Sequence, residues 1–341
     1  MITEGKATIS IAIPKIVSKD MPVFYNPVMK HNRDISILVL KHITQDNLRV
    51  CLPMEATGIR AIRFLKELPK SKIQEIVVND IDKQAYKSIK KNLLQNRIKS
   101  RITVKNQDAN ILLRTSEGFD YIDIDPFGTP NPFLDSAMVS LARNGILAVT
   151  ATDTSALCGA SPKACQRKYW AQPIHDHRMH EFGLRILIRK VQLVAAQYNK
   201  ALVPIYSYSK DHYMRIFFQN KKGKMEVDNL LKLHGLVDGL GPFYLGSLFD
   251  VRLAKSIAND VKNDPELKRF TGLIAEELQV VGFFDLHEIS KRCKVIVPRN
   301  TDILNALKHR GFKASLTHFS PLGVKSTAPE KEIIEIVKSS L

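Results

Sequence analysis

A short Asp-Pro-Phe stretch carries the residue types in this sequence that most directly suggest chemistry. Asp125, Pro126 and Phe127 follow the apolar and aromatic stretch 119–122, which predicts a short buried strand. In open α/β sheets, ligands bind outside the carboxyl ends of the strands. There, Asp125 could accept a hydrogen bond from the exocyclic amine of a flat base, Pro126 would restrict the backbone, and Phe127 would offer a stacking face. The alternative is an Asp-Pro turn that only closes the strand.

Two further acids occupy corresponding positions after predicted strands. Asp80 follows a predicted strand at 76–78, and Asp108 follows one at 101–104. Asp80 also lies about as far beyond Gly58 as the roughly 20 residues at which an acid reaches a ribose hydroxyl in nucleotide-binding folds. Acids that recur after successive strands indicate a cofactor site rather than unrelated turns.

The segments that must position these acids alternate between strand and helix patterns. This alternation predicts an α/β fold with a doubly wound parallel sheet. Two later segments, 202–207 and 213–218, predict an antiparallel edge of that sheet. The predicted strands lie at 8–14, 49–54, 76–78, 101–104, 119–122 and 146–150. The predicted helices lie at 35–42, 59–68, 81–93, 133–143 and 181–197, and the predicted turns and loops at 144–145, 151–155 and 239–246.

After residue 247 the pattern changes to short helices followed by a strand-like segment at 312–319. Helix, helix and a short β segment resemble a winged helix. We therefore predict two domains, an α/β domain at 1–247 and a smaller α+β domain at 248–341. Seven basic residues of the second domain cluster in sequence and predict nucleic-acid binding; they are Lys291, Arg292, Lys294, Arg299, Lys308, Arg310 and Lys313.

The composition favours a polyanionic partner. Among 341 residues, 51 are Lys or Arg and 34 are Asp or Glu, which gives a formal charge of +17. Nucleic acid is favoured over membrane, because no apolar run approaches the roughly 20 residues of a spanning helix. The N-terminus lacks a signal-peptide core, and the four cysteines form no CxxC, so we expect a reduced cytoplasmic protein without zinc. A His cluster at 175–180 favours surface or RNA contact over metal binding.

Several long motifs resemble those of a known family. The segments 55–64 (EATGIRAIRF), 123–130 (DIDPFGTP) and 148–154 (AVTATDT) are similar to those of the archaeal and eukaryotic tRNA guanine-N2 dimethyltransferases that act at position 26. The segments 24–27 (FYNP), 32–34 (NRD) and 241–246 (GPFYLG) match as well. The resemblance implies a class I methyltransferase fold, the cofactor S-adenosyl-L-methionine, a tRNA substrate and conversion of guanosine 26 to N2,N2-dimethylguanosine.

The resemblance also implies roles for individual residues. Asp80 would bind the ribose hydroxyls of the cofactor, Asp108 its adenine amine and Arg33 its methionine carboxylate. The full set implied to bind the cofactor is Arg33, Arg63, Asp80, Asp108 and Ala109, with Arg60 less clearly matched than Arg63. Asp125, with Pro126 and Phe127, would be catalytic, and Phe24 and Phe127 would sandwich the guanine. Many relatives carry CxxC pairs where residues 221–240 have none, so a zinc site is not carried over.

Two alternative functions stay open at this point. The first is a methyltransferase of the same fold acting on another guanine N2 or on an adenine N6, because an Asp-Pro-aromatic site suits any such amine. The second is a non-catalytic RNA-binding protein whose basic charge provides the affinity. In each case we expect a monomer that binds no membrane.

Overall fold

The computed structural model describes residues 1–11, 21 and 23–339. Its strands are β1 (Ile2–Glu4), β2 (Ala7–Ile9), β3 (Leu48–Leu52), β4 (Ile73–Asn79), β5 (Ile102–Lys105), β6 (Phe119–Ile124), β7 (Leu141–Ala151), β8 (Lys200–Lys210), β9 (Tyr213–Lys222), β10 (His234–Val237), β11 (Leu240–Tyr244), β12 (Phe284–Asp285), β13 (Ala314–Leu316) and β14 (Gly323–Ser326). Its α-helices are α1 (Lys30–His42), α2 (Ile59–Glu67), α3 (Lys83–Gln95), α4 (Ala109–Thr115), α5 (Asn131–Ser140), α6 (Thr154–Leu157), α7 (Pro162–Tyr169), α8 (Met179–Ala196), α9 (Lys224–Leu231), α10 (Val251–Asp260), α11 (Pro265–Glu276), α12 (Leu286–Cys293), α13 (Asn300–His309) and α14 (Glu330–Ser339).

Seven of these strands form a mixed sheet in the order β5-β4-β3-β6-β7-β9-β8. The first five are parallel: β3 pairs with β4 and β6, β4 with β5, and β6 with β7. Val50, Ile76 and Ile122 in the inner strands are fully buried, as expected for a parallel sheet that is covered on both faces. The hairpin β8–β9 completes the sheet at one edge. The predicted doubly wound α/β sheet is confirmed.

The strand order reverses between β3 and β6. From β3 the chain proceeds outward through α2, β4, α3 and β5, and then returns to place β6 on the other side of β3. Ligands of open α/β sheets bind at the carboxyl ends of the strands where the order reverses in this way. The loop after β3 (53–58) and the loop after β6 (125–130) both begin at this point. The fold therefore brings together the segments that contain Gly58 and Asp125.

Several local predictions were wrong. The predicted turn at 144–145 lies within β7, where Asn144 has φ +59 and the pairing with β6 jumps from Phe119–Leu141 to Tyr121–Ile146. Asn144 and Gly145 favour a turn, but here they form an irregularity within β7 at which the pairing with β6 is interrupted. The predicted loop at 239–246 contains β11, which pairs with β10 as a hairpin. Helix α6 begins within the predicted loop 151–155. Of the strand predicted at 8–14, β2 ends at Ile9, and residues 12–14 lie outside the described residues.

The backbone divides into two compact units that interleave along the chain. One contains residues 1–152, 191–205 and 215–231; the other contains 153–190, 206–214 and 232–341. In the second unit, α12 and α13 precede the hairpin β13–β14, which pairs with β12 in a three-stranded sheet. Leu286, Ile303, Leu307, Val324 and Ile333 form the centre of a hydrophobic core there. The elements follow each other in the order of a winged helix. A functional boundary at residue 247 stays a prediction.

Candidate active site

Asp125 and Phe127 are presented on a short loop that is fixed to the end of a neighbouring strand. Asp125 follows β6 directly, and its side chain is 19% exposed, whereas the side chain of Asp123 is 2% exposed. The Gly128 N–H donates to Thr152 Oγ1 over 2.7 Å, and the Thr152 N–H donates to Gly128 O over 2.9 Å. Phe127 is 57% exposed. The loop thus holds a carboxylate and an aromatic ring at the surface of the sheet's carboxyl edge.

Arg60 lies beneath Asp125 and links it to Asp123. It donates from Nη2 to Asp125 Oδ2, and its Nη1 is 3.4 Å from Asp123 Oδ2. Nη1 also donates to Asn32 Oδ1 (3.0 Å) and Ser36 Oγ (2.9 Å). Burial opposes the charge, but the carboxylates of Asp123 and Asp125 outweigh it and raise the pKa of Arg60. Within the described residues Asp125 Oδ1 makes no hydrogen bond, so one carboxylate oxygen is held and the other is available.

A second buried arginine holds Asp123. The Nη1 and Nη2 groups of Arg215, on β9, each donate to an Asp123 oxygen over 2.7 Å, and the Tyr121 hydroxyl donates to Oδ2 over 2.8 Å. Burial alone would raise the pKa of Asp123, but Arg215 and then Arg60 bring it below the ordinary value. Two carboxylates and two guanidinium groups thus balance each other's charge beneath the loop. This arrangement fixes Arg60 and, through it, Asp125.

Sequence reasoning did not predict Arg215 and left the role of Arg60 undecided. Arg215 stands in the apolar run Tyr213–Phe218 of a strand whose neighbours are fully buried. A buried arginine needs a carboxylate partner to compensate for lost solvation. That requirement was the available signal, but it does not identify which of the acids is the partner.

Arg33 and Arg63, both predicted to bind the cofactor, converge on Glu4. Arg33 donates to the two Glu4 oxygens over 2.7 and 2.6 Å, and Arg63 Nη1 donates to Oε1 over 2.7 Å. Arg63 also pairs with Asp34 at 2.6 Å and with Glu67 at 2.9 Å. Burial alone would raise the pKa of Glu4, but Arg33 and then Arg63 lower it to about 2. The structure therefore brings the two predicted arginines together around a carboxylate of the chain itself.

Asp80 and Asp108 both stabilise the loops in which they lie. Asp80 accepts the Ala56 N–H over 2.9 Å, which ties the end of β4 to the loop after β3. Asp108 Oδ1 caps α4 by accepting from Asn110 and Ile111 at 2.8 and 3.1 Å, while Oδ2 makes no hydrogen bond within the described residues. Ala109, the first residue of α4, has an N–H without an intrahelical acceptor. Both carboxylates are only partly buried, so each can accept further hydrogen bonds.

Phe24 and Phe127 contact each other. Their ring centroids are 4.4 Å apart and the ring planes are inclined by 81°, an edge-to-face arrangement. A base can stack between two rings only when they are roughly parallel and separated by the thickness of the base. The structure thus brings the two predicted rings together, and a sandwich requires them to separate.

The described residues contain no group of His, Cys, Asp and Glu arranged to hold a metal ion. His175 bonds to the carbonyl of Cys158 at 2.7 Å, and His177 packs edge-on against Phe283. Within the same residues, none of the helices has the length and hydropathy to cross a membrane.

Comparison with known proteins identifies the family. The model of the N2,N2-dimethylguanosine tRNA methyltransferases matches residues 5–239 and 234–338. The chain belongs to this family. Dimethyltransferases acting on tRNA guanine N2 from two organisms are similar over nearly their full length. The protein of Methanocaldococcus jannaschii, named for guanine 26, is 36% identical over 99% of this chain and 98% of its own. That of Aquifex aeolicus, named for guanines 26 and 27, is 37% identical over 98% and 95%.

A solved member of the family has the same fold. The Trm1 protein of Pyrococcus horikoshii, determined in complex with S-adenosyl-L-methionine, aligns with a TM-score of 0.90 and 35% identity over 98% of each chain. The class I methyltransferase fold that the sequence motifs implied is confirmed. Membership of the N2,N2-dimethylguanosine family also confirms the predicted enzyme class and its cofactor, S-adenosyl-L-methionine.

Proposed function

We propose that this chain transfers two methyl groups from S-adenosyl-L-methionine to N2 of guanosine 26 in tRNA, giving N2,N2-dimethylguanosine. Membership of the family and the names of its relatives support the reaction and the position. The observation in the structure that carries the proposal is the state of Asp125. One of its oxygens is held by Arg60, and Oδ1 is available beside an exposed aromatic ring.

The residues at the carboxyl edge of the sheet suit the cofactor. The free Oδ2 of Asp108 is an acceptor for the adenine amine, and the N–H of Ala109 is a donor for a ring nitrogen. Asp80 is partly exposed and can accept from the ribose hydroxyls in addition to the Ala56 N–H. Gly58, at φ +79, lets α2 begin close to α3, since a Cβ there would lie 3.3 Å from Ile89 Cγ2. When bound, the cofactor supplies an electrophilic methyl group on a positively charged sulfur.

Arg33 is proposed to bind the carboxylate of the methionine part of the cofactor, and Arg63, which shares Glu4 with it, is proposed to bind the cofactor as well. Glu4 makes ion pairs with both arginines. The cofactor carboxylate therefore has to share a guanidinium group with Glu4 or displace Glu4 from it. Arg33 suits this role because its planar group offers five donors and Glu4 is its one carboxylate partner among the described residues, whereas Arg63 already pairs with Glu4, Asp34 and Glu67. Glu4 then holds both side chains in place when the cofactor is absent.

Asp125 is proposed to act directly on the guanine amine. The N2 lone pair is delocalised into the ring, so the amine is a weak nucleophile. Asp125 Oδ1 accepts an N–H bond from N2, which returns electron density to nitrogen and orients it, and it takes up the proton as the nitrogen–methyl bond forms. Arg60 keeps the other oxygen fixed, so Oδ1 keeps its direction. Phe127 fixes the plane of the base by stacking, after Phe24 has moved away from its edge.

The same geometry explains why the reaction stops after two transfers. After the first, N2 retains one N–H that Asp125 can accept, so a second transfer is possible. After the second, N2 has no hydrogen and Asp125 has no bond to accept. The product is then released because the interaction that oriented the substrate has been lost.

Methyl transfer to matched tRNA transcripts tests the position. Transcripts with guanosine at 26 only, at 27 only, at both and at neither are incubated with the enzyme and labelled cofactor. We expect label in each transcript that has guanosine 26 and in no other. Label in the transcript with guanosine 27 only would extend the reaction to that position, as in the name of the Aquifex relative. Equal labelling of the transcript without either guanosine would overturn the proposed substrate.

A further inference from the structure

Lys190 differs from the other buried cations of this protein. The described cationic residues with less than a tenth of their surface exposed include seven others, and each of these pairs with a carboxylate; they are Arg33, Arg60, Arg63, Lys72, Arg185, Arg215 and Lys325. Lys190 is 6% exposed and pairs with no carboxylate of the described residues. A buried charge without a counter-charge is unfavourable. A partner outside the chain is therefore expected to supply the missing negative charge.

The ammonium group of Lys190 lies over an exposed aromatic ring. Its Nζ is 2.9 Å from the ring centroid of Trp170, and Trp170 is 51% exposed. Trp170 follows α7 and has φ +57, a left-handed conformation that is unfavourable for a bulky residue. A strained backbone that holds a large apolar ring at the surface is typical of binding sites.

Arg189 adds a second cation at the same place. It donates to Trp170 O over 3.2 Å, its Nε is buried without a hydrogen-bond partner, and it pairs with no carboxylate of the described residues. Burial lowers the pKa of Arg189, and burial together with Arg189 lowers the pKa of Lys190 to about 8. His234, whose pKa burial and Arg189 lower to about 4, is neutral at pH 7. Arg167, three residues before Trp170 in the last turn of α7, is a further exposed cation.

We propose that Trp170, Arg189 and Lys190 form a binding site for one nucleotide of the tRNA substrate, other than the nucleotide that is methylated. The base stacks on the exposed part of the indole, and its phosphate accepts hydrogen bonds from Arg189 and supplies the negative charge that Lys190 lacks. An aromatic ring beside cations that lack a carboxylate is the combination that proteins use for unpaired nucleotides. The charge of Lys190 over the ring favours an electron-rich purine as the stacking partner. This inference rests on the proposed function, because it takes tRNA as the partner.

Trp170 is the only tryptophan of the chain, so its fluorescence reports on this site alone. The full-length enzyme is titrated with tRNA, and tryptophan emission is followed beside an independent binding measurement. We expect quenching that saturates with the same dissociation constant as binding. Unchanged emission at saturating tRNA would overturn the proposal, as would a failure to bind tRNA.

Variants test which groups provide the affinity. Trp170→Ala is expected to weaken tRNA binding by about tenfold through lost stacking, and Trp170→Phe by less. Lys190→Met keeps the buried stem and should reduce the slope of log affinity against log salt by about one. Lys90→Met is the matched control. Lys90 Nζ also lies over an aromatic ring, 4.8 Å from the centroid of Tyr86, and this substitution removes the same charge from another place. Wild-type affinity of Trp170→Ala together with an unaltered salt slope of Lys190→Met would contradict the proposal.

The two proposals fail in different ways. Quenching by tRNA without methylation at guanosine 26 would refute the proposed function and keep the Trp170 site. Methylation at guanosine 26 by an enzyme whose Trp170 emission does not change on addition of tRNA would refute the site and keep the function.

Discussion

Asp123 and Asp125 lie two residues apart and share Arg60. The structure nevertheless predicts that replacement by Asn mainly lowers stability at Asp123 and mainly lowers the catalytic rate at Asp125. Asp125→Asn keeps an oxygen that Arg60 can bond, and Arg60 retains Asp123, Asn32 and Ser36 as partners. We therefore expect a loss of stability of at most about 1.5–3 kcal/mol, that of one hydrogen bond to a charged group. Asp123→Asn leaves Arg215 buried without its bidentate partner, which costs about 3–5 kcal/mol.

The catalytic effects should be reversed. A positioned proton acceptor contributes about 10²- to 10⁴-fold to the rate, equivalent to about 3–5 kcal/mol of the barrier. Asp125→Asn should slow single-turnover transfer by that factor and leave cofactor affinity within a few-fold. Asp123→Asn should melt several degrees lower but should lose less activity per folded molecule. Thermal unfolding, cofactor titration and single-turnover rates are measured on both proteins.

The comparison has two outcomes that contradict the proposed mechanism. A matching loss of cofactor affinity and rate in Asp125→Asn would mean that Asp125 serves the cofactor instead. A normal rate in that variant would mean that neither its charge nor its proton affinity is needed.

Three further predictions concern other parts of the molecule. Phe127→Ala should slow transfer by about tenfold to a hundredfold through lost stacking, and Phe127→Tyr should not. The ring is 57% exposed, so we expect little change in melting temperature. A large drop in melting temperature with a normal rate per folded molecule would instead make Phe127 a core residue. The pKa of Glu4 falls from 4.5 to about 2 on folding, so Glu4 should contribute about 3 kcal/mol to the free energy of unfolding above pH 4.5, and this contribution is lost as the pH falls towards 2. Glu4→Gln should therefore flatten the dependence of the free energy of unfolding on pH in this range. We propose that the C-terminal basic residues bind tRNA, and neutralising the exposed Lys291 and Lys313 tests this. The slope of log affinity against log salt should fall by about one for each phosphate that the protein no longer neutralises, while cofactor affinity stays unchanged. An unaltered slope would mean that tRNA binds elsewhere on the protein.

The sequence predicted the parallel sheet well because most of its strands and helices have a clear period; the short helix α4 was not predicted. Asp80, Asp108 and Asp125 were placed correctly at strand ends, since the carboxyl ends of parallel strands meet at one edge. The class of reaction came from the resemblance of the motifs. The hairpin β10–β11 was missed because its Gly-Pro residues are typical of loops.

The partners of the charged residues were beyond the sequence. Glu4 and Arg63 are 59 residues apart in the chain. Arg215 on β9 bonds to Asp123 on β6, although β7 lies between these two strands. Such pairs are set by tertiary packing, and no local pattern distinguishes one acid from another as the partner. For the same reason, nothing in the sequence showed that Lys190 is buried away from every acid of the described residues.

The central claim is dimethylation of N2 at guanosine 26, and mass spectrometry of the tRNA product tests it most directly. An unmodified tRNA is incubated to completion with enzyme and excess cofactor, cleaved by a nuclease, and the fragment containing position 26 is sequenced by mass. We predict that this nucleotide gains the mass of two methyl groups, after passing through a species with one, and elutes as N2,N2-dimethylguanosine after digestion to nucleosides. A guanosine 26 that stays unmethylated, or a reaction that never proceeds beyond one methyl group there, would contradict the account.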